Sequence, residues 1–211
     1  MVAAVGLIDA HGSQRASAWV QRWSHLVPVG ASVLDVACGS GRHVRWFAQR
    51  SGRVTGVDRD AAAVAPLAGI AEIVVADIEG GPWPFAARTF DAVVVTNYLW
   101  RERLPDVITA VAPGGLLIYE TFAAGNETVG KPSKSAFLLR PGELLKACAG
   151  LRVIAYEDGF IEGDERASER FVQRIVAVRE SAGHAPAPRR FGLVSSDSAA
   201  RVRSCNPEDS A

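Results

Sequence analysis

From residue 32 onward, short runs of aliphatic, largely β-branched residues alternate with stretches of helical periodicity, and few folds accommodate that order. A chain written strand, helix, strand, helix folds as a mostly parallel, doubly wound sheet with helices on both faces. The strands are expected at 32–37, 53–58, 72–76, 90–96 and 116–121, with two later ones near 151–156 and 171–178. The 90–96 run, FDAVVVT, is almost continuously apolar, as a strand covered on both faces should be. Helices are expected ahead of the first strand, where Trp19, Val20, Trp23, Leu26 and Val27 share a face, and from Arg42, Asp60 and Leu104. A glycine-containing loop over 122–140 precedes a short helix opened by Pro141 at its first turn.

The 211 residues suffice for one such α/β domain, placed at 1–180 with its N-terminal helix. From Ser181 the composition turns to Ala, Ser, Pro and Arg without apolar periodicity, so 181–211 reads as a disordered tail with docking on the domain as the other possibility. Basic and acidic residues balance at 23 each, which removes the global field that a nucleic-acid backbone or an acidic membrane would require. Cys38, Cys148 and Cys205 are far apart, and His11, His25 and His184 lack neighbouring carboxylates or thiols, which argues against a disulfide framework and a metal site. There is no secretory leader pattern and no apolar run long enough to span a bilayer, so a cytoplasmic location is expected.

The chemistry is concentrated in VLDVACGSGR, 33–42. Gly39 and Gly41 follow the first strand, where bare backbone turns tightly and lets a ligand approach. The second strand closes on Asp58, which suits the two hydroxyls of a ribose lying across the strand ends, and the third closes on Asp77. Gly-rich turn, Asp and Asp on three successive strand ends mark a nucleotide-type ligand. Two cofactors compete. The dinucleotide fingerprint wants a small residue three positions after Gly41, and Val44 stands there. Asp35 precedes the turn, where its charge would favour an ammonium and gain nothing from a pyrophosphate. S-adenosyl-L-methionine is favoured over a nicotinamide cofactor.

With VTGVD (54–58), AD (76–77), FDAVVV (90–95) and PGGLLIYETF (113–122) added, residues 18–180 resemble the class I S-adenosylmethionine-dependent methyltransferases in motif order and spacing. The stretches 98–101 and 130–145 look like a small bacterial group related to the tellurite-resistance type. The resemblance implies a Rossmann-like sheet of order 3-2-1-4-5-7-6 with strand 7 antiparallel. It also implies that Gly39 and Gly41 pass under the cofactor's methionine and ribose, with Ala37 in the same turn. Asp35 would support the amino-acid end and Asp58 the ribose hydroxyls, with Arg59 beside it among the cofactor-binding residues. Asp77 and the Ile78 backbone would read the adenine edge, and Asn97 would face the methionine.

Methyl transfer from a sulfonium needs alignment and desolvation more than a dedicated acid or base. Tyr98, Trp100 and Arg101 are candidates to line an acceptor pocket, Tyr98 with its ring toward the sulfonium. Glu120 is a candidate orienting group or base. Lys131, Lys134 and Arg140 could attract an anionic acceptor or form a solvated face. His43 reads as structural and Cys38 as a small apolar filler. A small-molecule acceptor is expected. A nicotinamide-dependent oxidoreductase and a non-catalytic cofactor-binding protein on the same scaffold are the alternatives.

Overall fold

A computed structural model describes residues 15–50, 52–163, 168–181 and 189–193. The sheet has seven strands, β1 (Ser32–Val36), β2 (Arg53–Asp58), β3 (Glu72–Val75), β4 (Phe90–Thr96), β5 (Val111–Phe122), β6 (Arg152–Ile161) and β7 (Arg170–Val178). Their order is β3-β2-β1-β4-β5-β7-β6. Pairing is parallel from β3 through β5, and β7 runs antiparallel to both β5 and β6, as the resemblance implies.

The two-residue period of a strand divides the core into two layers. Leu34 and Val36 of β1 and Val93 and Val95 of β4 face one side, which α4 (Leu104–Thr109) and α5 (Glu143–Ala147) cover with Val107 and Leu144. Val33, Ala92 and Val94 face the other, covered by α1 (Ala18–Trp23), α2 (Arg42–Ala48) and α3 (Ala61–Val64) through Trp19, Trp23, Val44, Phe47 and Val64. The same alternation places Asp35, between Leu34 and Val36, on the α2 side, where it is 1% exposed.

Two boundaries differ from the sequence reading. Helix α4 stops at Thr109, and Val111 already pairs with Phe90. The register then jumps to Ala92–Leu116, so Pro113, Gly114 and Gly115 form an irregularity inside β5, ahead of the strand expected from 116. Pro141 lies outside its helix, because Gly142 takes φ +70° and α5 starts at Glu143.

Most of the expected tail, with Cys205 and His184, lies outside the described residues, as does His11. Its described part rests on the domain. Phe191 is half-buried between the guanidinium groups of Arg152 and Arg189, and His25 Nε2 lies 2.9 Å from Gly192 O. Among the described residues no helix is long and apolar enough to cross a membrane, and no His, Cys, Asp and Glu cluster is suited to a metal ion.

Candidate functional site

The carboxyl ends of β1, β2, β3 and β4 enclose a cavity of about 410 Å³, a volume suited to a small ligand. Of the residues expected to bind a cofactor, Ala37, Gly39, Asp58, Arg59, Asp77, Ile78 and Asn97 line it. Asp35 and Gly41 do not. Tyr98 lines its far wall, whereas Arg101, Trp100 and Glu120 lie outside it.

Local backbone geometry makes the rim. Among the described residues the non-glycine residues with positive φ are Ala37 (+53°) and Asn97 (+55°), and both border the cavity. Such conformations persist only where the surroundings enforce them, and they concentrate at functional sites. Asn97 is held by its N–H donating to Glu120 O at 2.9 Å. Gly39 takes φ +52° with open space where a Cβ would stand, and its N–H donates to Asp58 Oδ2 at 2.7 Å. Gly41 has a different duty. At φ +78° a Cβ there would meet the Leu67 side chain at 2.4 Å, so this glycine lets α2 pack on Leu67 and does not face the cavity.

The position that a dinucleotide fold keeps small is filled here by the fully buried Val44. Room for it comes from the sheet, since a Cβ on Gly56 of β2 would lie 3.1 Å from Val44 Cγ2.

Below the rim is a buried polar group. Asp35 Oδ2 has no hydrogen-bond partner among the described residues, and burial pushes its carboxyl up to about 7 despite the nearby Arg42 guanidinium. The Ser17 N–H donates to His43 Nε2 at 3.1 Å, which puts the imidazole proton on Nδ1, toward Thr96 Oγ1 at 3.4 Å and Asp35 Oδ1 at 3.9 Å. Burial, with Arg42 adding to it, holds His43 down at about 3, so the imidazole is neutral and structural. Burial also pushes the Cys38 thiol upward, which leaves it an unreactive filler.

At the opposite end Asp77 Oδ1 accepts from the N–H groups of Glu79 and Gly80, at 3.0 and 3.2 Å, and these bonds hold its carboxyl below the usual range. The Ile78 N–H donates to no acceptor among the described residues. Arg103 fastens this loop, donating to Ile78 O and Gly81 O. Sequence reasoning missed Arg103, and missed Arg42, which lines the cavity and donates to Thr96 Oγ1 at 3.2 Å. The position of Arg42, directly after the glycine turn, was the available signal for it; Arg103 carried none.

The catalytic candidates separate. Burial pushes the Tyr98 hydroxyl upward, Glu79 adding to it, so the phenol stays protonated and is no base at neutral pH. Glu120 is buried and paired with Arg174 at 3.2 Å. Arg101 forks onto Glu143 and borders a second cavity.

The strand order, with β7 antiparallel, is that of the Rossmann-like methyltransferase fold. Residues 33–115 match the family described as methyltransferase domain. The chain is 33% identical over 140 residues to the malonyl-[acyl-carrier protein] O-methyltransferase of Serratia marcescens, an alignment that covers 56% of this chain. The chain spans about half, 51%, of that relative's length. The fold is similar to that of TehB from Haemophilus influenzae, with a TM-score of 0.58 at 21% identity over 71% of this chain and 58% of that one. A methyltransferase from Methanosarcina mazei gives 0.61 at 17% identity over 79% and 99%.

Proposed function

We propose that this chain transfers the methyl group of S-adenosylmethionine to a small-molecule acceptor, with the cofactor seated in the cavity along the carboxyl ends of β1 to β4. The observation that carries this reading is the fit of that one cleft to the ribose and adenine ends of the cofactor. Asp35 Oδ2, buried without a partner among the described residues, lies beneath the cleft and would act on the ammonium end through the turn above it. Asp58 accepts bonds from the Gly39 and Asp60 N–H groups, and a carboxylate has further lone-pair capacity for ribose hydroxyls. The free Ile78 N–H and the Asp77 carboxylate offer the donor and acceptor that an adenine edge requires.

When bound, the cofactor supplies a methyl group already activated by its sulfonium. The chain's part is to bind, orient and keep water away. Gly39 brings bare backbone to the ligand, and the enforced turns at Ala37 and Asn97 fix the two walls. The half-buried Tyr98 ring lines the cleft, its hydroxyl within the field of Glu79 and Asp77. No proton-transferring residue is assigned, because Glu120 is engaged by Arg174 and Tyr98 stays protonated.

Calorimetric titration with S-adenosylmethionine, and in parallel with NADH, tests this reading. Saturable binding of the first alone is expected, weakened about tenfold or more in Asp58→Asn, which keeps the side chain's size but removes its charge. Binding of NADH in its place overturns the assignment. Radiolabelled methyl transfer to a panel of acceptors then separates an enzyme from a silent binding protein.

A further inference from the structure

The chain leaving β4 passes from one cavity to another. Asn97 and Tyr98 line the cofactor cleft, and Arg101 borders a second cavity of about 340 Å³. Three residues of extended chain reach about 10 Å at most, so the backbones of Tyr98 and Arg101 lie within that span at the carboxyl edge of the sheet. Ala124, just beyond β5, lies on the wall of the second one.

That wall is pinned from behind by three side chains. Arg101 donates to Ala136 O at 2.7 Å and Leu138 O at 2.8 Å while forking onto Glu143. The buried Asn126 donates to Pro132 O at 3.0 Å and accepts from the Phe171 N–H at 3.2 Å. Gln173, fully buried, donates to Arg140 O at 2.6 Å and accepts from the Leu144 N–H at 3.0 Å. A segment held this firmly has lost its conformational entropy before any ligand arrives, which is what a binding surface needs.

What the pinning leaves free is informative. The Arg140 guanidinium and the hydroxyls of Ser133 and Ser135 border the cavity and make no hydrogen bond among the described residues. Arg101 is balanced by Glu143, and the bordering Glu127 already accepts from the Gly125 N–H at 2.8 Å. Leu138, Ala124 and Ala136 supply apolar surface beside these groups. A guanidinium that bonds to no carboxylate and is offset only by the field of Glu143, hydroxyl donors and an apolar wall match a carboxylate on an organic body, and Glu127 repels a second negative charge.

We propose that the second cavity is the acceptor site and that it selects a small organic molecule carrying a single carboxylate, anchored on Arg140. This rests on the methyltransferase reading above. The test uses the full chain saturated with S-adenosylhomocysteine and titrates benzoate and hexanoate, each against its neutral amide. Both anions should bind and their amides should not. Arg140→Ala should weaken the anions about tenfold, and Glu127→Gln should strengthen them about threefold, opposite signs that general loosening of the loop cannot produce. If neither anion binds, if the amides bind equally, or if Arg140→Ala changes nothing while S-adenosylhomocysteine still binds, the acceptor assignment falls alone. If S-adenosylhomocysteine itself fails to bind, the methyltransferase reading falls with it.

Discussion

His43 Nδ1 lies 3.9 Å from Asp35 Oδ1 in the layer beneath the cleft, and the contact is not an ion pair. Burial drives the two groups in opposite senses, holding His43 near 3 and raising Asp35 to about 7, so at neutral pH the imidazole is uncharged.

The two groups therefore give opposed pH slopes to the stability of the cofactor-free protein. A depressed histidine favours the unfolded state as pH falls from its ordinary 6.5 toward 3. A raised aspartate does so as pH rises from its ordinary 3.8 toward 7. In Asp35→Asn only the first remains, and its stability should fall between pH 6 and 4 with a slope approaching about 1.4 kcal/mol per unit. In His43→Asn the slope over the same window should have the reverse sign. Denaturant melts at several pH values check this, and parallel profiles for both variants would refute the assigned charge states.

The two glycines of the turn should fail differently. Gly41→Ala combines a left-handed backbone with a Cβ driven into Leu67, which should cost about 2–4 kcal/mol. Gly39→Ala meets no protein atom and should lose only about 1 kcal/mol of stability for its backbone. Its methyl occupies space at the cleft, so cofactor affinity should fall more than stability does. Thermal melts with parallel titrations separate the two, and equal stability losses would contradict the packing described for Gly41.

Arg101→Lys should unfasten the second cavity. The fork onto Glu143 uses Nε to Oε1 at 2.7 Å and Nη2 to Oε2 at 2.9 Å, with two carbonyls held by the same guanidinium. An ammonium cannot reproduce that planar set. A loss of about 2 kcal/mol is expected, with faster hydrogen exchange at Ala124 and Leu139, whose N–H groups tie the segment to β5. Unchanged exchange there would mean that the arginine is not the clamp.

Much of the site was legible because its signals are local. A strand end is set by a run of a few residues, so the sequence alone puts Asp58 and Asp77 at the sheet's carboxyl edge, and Ala37, Gly39, Ile78 and Asn97 with them. Arg101 and Glu120 were legible as positions but not as roles. Their partners, Glu143 and Arg174, stand 42 and 54 residues away, and only the folded chain brings them into contact. Arg103 left no trace at all, since its acceptors are backbone carbonyls of the loop after β3.

By itself, then, the amino-acid sequence determined the doubly wound sheet and the succession of glycine turn, Asp and Asp across its edge, because periodicity and strand ends are short-range properties of a chain. Tertiary structure alone decided that Gly41 serves packing, that Asp35 Oδ2 is buried without a hydrogen-bond partner among the described residues, that β5 begins at Val111, and that a second cavity borders Arg101. Each of these depends on which distant groups share a volume from which water is excluded, and a linear pattern does not carry that information.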